Sequence, residues 1–130
     1  MMLIFDTSVI ISIEREDKAV IRKIHELSMI YVGQPQITFV TCYEFLLGIK
    51  NRSPKNQNEA LEFINNFNCL SATKRTAEIL AELRHKYAVK GIEIALADFI
   101  IASQVKEYNM ALVTRDKTFE KIDEISKVIL

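Results

Sequence analysis

Four acidic residues in this chain have the types and placement to hold a divalent cation together: Asp6, Glu44, Asp98 and Asp116. Asp6 follows a short apolar stretch, Glu44 opens an expected helix, and Asp116 follows a late apolar stretch. Asp98 stands inside the apolar run Ile94 to Ala102, where an ionised carboxylate without a compensating partner is costly to keep. Four converging carboxylates resist ionising together, and a hard cation with oxygen ligands relieves that repulsion. Mg²⁺ retains several waters and takes only one or two carboxylates directly, with phosphate oxygens completing its shell. Such a site suits phosphodiester hydrolysis, in which the ion polarises the phosphoryl group and activates water.

Three of these acids have simpler local explanations. Asp6-Thr7-Ser8 at a strand-to-helix junction reads as a helix N-cap, and Asp116 ahead of Lys117-Thr118-Phe119-Glu120 reads the same way. Thr41-Cys42-Tyr43-Glu44 has capping-box spacing, which would account for Glu44 by itself. Asp98 has no comparable local reason. An open parallel sheet binds ligands beyond the carboxyl ends of its strands, where Asp6, Glu44 and Asp116 are expected.

The elements that must position them follow from periodicity. Residues 2–5 form a strand, and helical spacing runs from Ser8 to Ile30 with a break near Glu16-Asp17. Gly33-Gln34-Pro35 signals a turn before a strand over 36–40, and a helix runs from Thr41 to about Lys50. After the loop at 51–54 come helical pattern at 60–67, an apolar step at Cys69-Leu70, and a helix from about Thr73 to Val89 closed by Gly91. The Asp98 helix ends near Tyr108 with Asn109 as its stop. Met110 to Val113 reads as a buried strand, and Lys127 to Leu130 as a last short one. Strands alternating with helices predict an α/β fold, a three-layer α/β/α sandwich with a mainly parallel central sheet.

Composition bounds the rest. At 130 residues and 49% hydrophobic content the chain suits one domain over 1–130. Its 17 basic and 17 acidic residues balance, so any RNA contact must be local rather than driven by net charge. The N-terminal apolar stretch is short and lacks a basic leader, and no run approaches the roughly 20 apolar residues of a membrane span. Cys42 and Cys69 form no paired motif, which fits buried thiols in a reducing, cytoplasmic setting. His25 and His85 lack a second His or Cys at ligand spacing and read as solvated helix positions, against zinc and against a histidine-assisted hydrolase. Arg52, Lys55, Lys74, Arg75, Arg84, Lys86 and Lys90 read as solvated faces, whereas Arg115, beside Asp116, is a candidate substrate contact.

The residues Phe5-Asp6-Thr7-Ser8, Tyr43-Glu44-Phe45-Leu46-Leu47-Gly48, Ala97-Asp98-Phe99-Ile100-Ile101-Ala102, and Leu112-Val113-Thr114-Arg115-Asp116 with Phe119, in this order, resemble those of PIN-domain ribonucleases, in particular VapC-type toxins of type II toxin-antitoxin pairs. The resemblance covers essentially the whole chain. It implies an endoribonuclease dependent on Mg²⁺ or Mn²⁺, with Asp6, Glu44, Asp98 and Asp116 as the acidic, metal-holding quartet and Thr7 and Thr114 as supporting hydroxyls. It further implies an RNA substrate, a cognate antitoxin that blocks the site, and a homodimer. At the position of Asp116 the family often carries Asn, and where it can place another acid before the following Phe, this chain has Thr118. Two other readings stay open: an RNA-processing or quality-control nuclease without an antitoxin, and a non-catalytic binding or regulatory α/β module, either a nuclease-like protein built for complex formation or a receiver-like domain. The latter usually needs an acidic pair after its first strand, where this chain offers one acid.

Overall fold

A computed structural model describes residues 1–130. The strands are β1 (Leu3–Phe5), β2 (Gln36–Ile37), β3 (Asn68–Cys69), β4 (Ala111–Thr114) and β5 (Ser126–Ile129). The helices are α1 (Thr7–Glu14), α2 (Lys18–Ser28), α3 (Phe39–Gly48), α4 (Pro54–Ile64), α5 (Lys74–Val89) and α6 (Leu96–Glu107), with a 3₁₀ turn at Lys117–Lys121. The sheet order is β3-β2-β1-β4-β5, and every pairing is parallel. The α/β expectation therefore holds, with a sheet that is wholly rather than mainly parallel.

Alternation along β1 and β4 builds both outer layers. Leu3, Phe5, Ala111 and Val113 enter an apolar cluster with α1 to α4 through Val9, Ile10, Val20, Phe45 and Ile64. Ile4 and Leu112 enter the opposite cluster with α5 and α6 through Ile79, Leu83, Tyr87, Phe99 and Val105. Strands buried on both faces read as continuous apolar runs, which is why β1 and β4 are legible in sequence. No helix is long and apolar enough to cross a membrane.

The strand expected over 36–40 stops at Ile37. The side chain of Thr38 caps α3 by accepting from the Thr41 N–H at 3.2 Å, so the helix starts at Phe39 and the proposed Thr41–Glu44 capping box does not form. Local β-propensity in Phe39 and Val40 loses to a satisfied cap. The apolar step at 69–70 overlaps the two-residue edge strand β3 (Asn68–Cys69) only at Cys69, and β4 lies one residue later than expected. Both histidines are exposed on helices, as expected. Both cysteines are free, but Cys69 is exposed, so only the half-buried Cys42 approaches the buried thiol the sequence suggested.

Two helix ends carry left-handed residues that sequence anticipates. Gly91 has φ +71° just beyond α5 and Asn109 has φ 51° just beyond α6. A side chain at Gly91 meets no atom within 4 Å, so the cost of Gly91→Ala is backbone strain alone. We expect about 1 kcal/mol of lost stability, measured by urea denaturation, with no change in the denaturant slope.

A buried side chain sets the spacing of the two helices that carry Glu44 and Asp98. Gln104 on α6 is 0% exposed; its Oε1 accepts the Phe39 N–H at 3.0 Å, and its Nε2 donates to the Leu70 carbonyl at 3.2 Å. The amide thereby fixes the N-terminus of α3 against α6.

Candidate active site

In this sheet the chain leaves β1 towards β2 on one side and leaves β4 towards β5 on the other, so the crevice between the carboxyl ends of β1 and β4 is the topological switch point. Asp6 directly follows β1, and its N–H donates to the Val113 carbonyl at 3.1 Å. Asp116 follows β4 after Thr114 and Arg115. The switch point thus collects two of the four acids from the backbone alone.

Asp6 caps α1, accepting the Val9 N–H at 3.3 Å, and is 4% exposed. Burial pushes its carboxyl above the ordinary range, while hydrogen bonds from Ser8, Thr114 and the Val9 N–H pull it back and the charge of Asp116 adds to the rise. Thr114 donates to Asp6 Oδ2 at 2.5 Å and accepts the Asp116 N–H at 2.9 Å. Asp116 caps the 3₁₀ turn by accepting the Thr118 N–H at 2.9 Å. The capping roles read from sequence for Asp6 and Asp116 are real, and they coexist with a place in the cluster.

Glu44 is not at a helix start. It is half-buried well inside α3, where Thr7 Oγ1 donates to its Oε1 at 2.6 Å and lies 3.2 Å from the Thr41 hydroxyl. Its local explanation as a capping-box acid therefore disappears.

Asp98 has the reverse history. The helix starts at Leu96, not within the run before it, so Asp98 lies in the first turn of α6, where the helix dipole favours an anion. Yet no hydrogen bond supports its carboxylate, and no cation faces it. Burial first, then the charges of Asp116, Asp6 and Glu44, push it up to about 6 from 3.8. This one carboxyl reports that all four acids share a region, and that the region is short of positive charge.

One wall of the region is apolar. Phe39, Val40, Tyr43, Leu96, Ala97 and Ile100 line a groove of about 310 Å³ that Glu44 borders. Two wider depressions at the turn between α5 and α6, of about 650 and 670 Å³, include none of the acids. An apolar wall lowers the local dielectric and strengthens whatever charge interaction the acids make.

The donor set is all carboxylate oxygen, with neither histidine nor cysteine, which selects hard cations. No three acids stand close enough to grip one ion together. That spacing fits Mg²⁺ or Mn²⁺ held by one or two carboxylates, with water between the ion and the others. It does not fit a fully protein-lined cage.

Arg115 is exposed, and its guanidinium binds Ser12 Oγ at 2.8 Å and Asp17 Oδ2 at 3.4 Å. None of its contacts is with the four acids. Among the other basic candidates, Arg52 makes a two-pronged pair with Glu14, Arg75 pairs with Glu78 and Lys86 with Glu124. They behave as the solvated faces expected of them. No lysine pairs with any of the four acids, as a receiver-like site would need.

A model of the PIN domain matches residues 3–125. No curated protein matches the sequence. Among solved structures, the fold is similar to VapBC2 from Rickettsia felis bound to a promoter DNA fragment, at 20% identity and TM-score 0.86, covering 100% of this chain and 99% of that one. It is also similar to DNA-bound VapBC from Salmonella typhimurium, at 23% identity and TM-score 0.82 over 99% and 98% of the chains. A toxin-antitoxin complex from Klebsiella pneumoniae matches at 22% identity and TM-score 0.75 over 97% and 95%. With its sheet order, its acids at the switch point and this match over nearly all its length, the chain belongs to the PIN domain family.

Proposed function

We propose that the protein is an endoribonuclease dependent on Mg²⁺ or Mn²⁺, acting as the toxin of a toxin-antitoxin pair. The observation that carries the nuclease reading is the convergence of Asp6, Glu44 and Asp116 on Asp98, whose carboxyl burial and those three charges push up to about 6 with no positive side chain to offset them. Asp6 and Asp98 hold the ion most directly. A divalent ion there supplies the charge that polarises a phosphodiester and makes a neighbouring water a better nucleophile. Glu44, fixed by Thr7, and Asp116, fixed by Thr114 and Thr118, orient water and accept its proton. Arg115, though anchored to α1, keeps an exposed guanidinium for an RNA phosphate.

The toxin reading draws on the structural neighbours, which are VapBC and toxin-antitoxin complexes. By that analogy the protein works in the cytoplasm as a homodimer and is held inactive by a cognate antitoxin.

The test is cleavage of a panel of short single-stranded RNAs with Mg²⁺, Mn²⁺ or EDTA, with Asp6→Asn beside wild type. We expect cutting by wild type with either ion, none in EDTA, and none by the variant. Cutting that survives EDTA or Asp6→Asn would remove the metal site from the mechanism. Co-expression with the reading frame adjacent to the gene tests the partner: a bound, inhibitory product is expected, and harmless overexpression of the protein alone argues for a processing enzyme instead.

A further inference from the structure

Ser8 lies in the first turn of α1, and its single hydroxyl joins the two strand ends that build the site. Its Oγ donates to Asp6 Oδ1 at 2.6 Å and accepts the Arg115 N–H at 3.0 Å. Its carbonyl accepts from Ser12 Oγ at 2.9 Å, and Ser12 in turn receives the Arg115 guanidinium. Residues 6 and 115 are thus tied through one side chain, at the Asp6 oxygen that Thr114 does not touch.

A carboxylate offers about four lone-pair positions, two on each oxygen. Oδ1 of Asp6 accepts from both Ser8 and the Val9 N–H, which fills it. Oδ2 accepts only from Thr114 and keeps one position open. We infer that Ser8 is a positioning residue that leaves Asp6 a one-oxygen ligand through Oδ2, and holds the segment carrying Asp116 beside it. Without the Ser8 hydroxyl, the carboxylate gains freedom to rotate and the Arg115 N–H loses its acceptor. Hydrogen bonds to a ligand from outside the metal shell commonly set affinity by about 10- to 100-fold.

This inference rests on the metal-dependent reading above, and the experiment separates the two. Mn²⁺ affinity is measured by electron paramagnetic resonance on wild type, Ser8→Ala and Ser8→Thr, each with its melting temperature. Ser8→Ala is expected to bind Mn²⁺ about 10- to 100-fold more weakly, and Ser8→Thr, which keeps the hydroxyl, within about threefold of wild type. Ser8→Ala within threefold of wild type overturns the role, as does Ser8→Thr binding as weakly as Ser8→Ala. Wild type that binds no Mn²⁺ overturns the metal site itself and the inference with it.

Discussion

Asp98→Asn is expected to raise the melting temperature of the metal-free protein at pH 7 while abolishing cleavage. The substitution keeps the shape of the side chain and removes a charge that burial and three neighbouring acids oppose. A carboxyl pushed up to about 6 is still ionised at pH 7, so the fold carries the cost of that charge when no cation is present. Discounting for the solvent that reaches this half-buried group, the cost is about 1–2 kcal/mol, or roughly 4–8 °C for a domain of this size. In the proposed mechanism the same charge holds the ion, so we expect activity to fall by at least about 100-fold. Calorimetry on metal-free protein and an RNA cleavage assay decide the matter together. A lower melting temperature with retained cleavage would mean that Asp98 is an ordinary first-turn acid.

Removing divalent ions should change the pH dependence of stability as well as abolish activity. The folded-state carboxyl of Asp98 lies above its unfolded value of 3.8, so between about 4 and 6 the folded state binds more protons than the unfolded. Stability in EDTA therefore declines as pH rises through that window, and this contribution is gone above about 6. Asp6, also raised, acts in the same direction. Glu124 acts oppositely: burial favours its neutral form, but bonds from Tyr87 and Lys86 outweigh that and lower it, so its contribution is lost at more acid pH. The wild-type curve minus the Asp98→Asn curve isolates the central term. If the proposed site holds Mg²⁺, a fixed concentration of about 100 times its pH 7 dissociation constant is expected to add about 2.7 kcal/mol at pH 7 through binding to the folded state. That gain should be larger at pH 7 than at pH 5, where the ion must displace a proton. Equal gains at both pH values would place the ion away from Asp98.

The parts of this site legible in sequence are those with a local signature. Asp6 and Asp116 are read as caps because each is followed by its own turn, and both caps exist. Glu44 is misread because Thr38 and Thr41 are both plausible caps three residues apart. The choice falls to Thr38 through its bond to the Thr41 N–H, while buried Gln104 fixes where the helix begins. Asp98 is placed deeper in its helix than it is, since Ile94 and Ala95 continue the apolar run without helical structure. Strand β3 is too short for any period to show. Ser8 and Gln104 are missed because their bonds span 107 and 65 positions, a relation that no spacing rule within a single element contains. The quartet itself is recognised as a pattern across four segments, not from any one of them.

The place of β1 in the middle of the sheet has a consequence for synthesis. Residues 3–5 are made well before one of their two neighbouring strands, 111–114, which lies far later in the chain. Until then Asp6 lacks Thr114, and Asp116 does not exist, so the growing chain carries at most three of its four acids and no closed crevice. Parallel pairing across such a sequence distance forms late. The four acids of the crevice are thereby kept from meeting until both halves of the sheet have been made, so the site closes only with the fold itself.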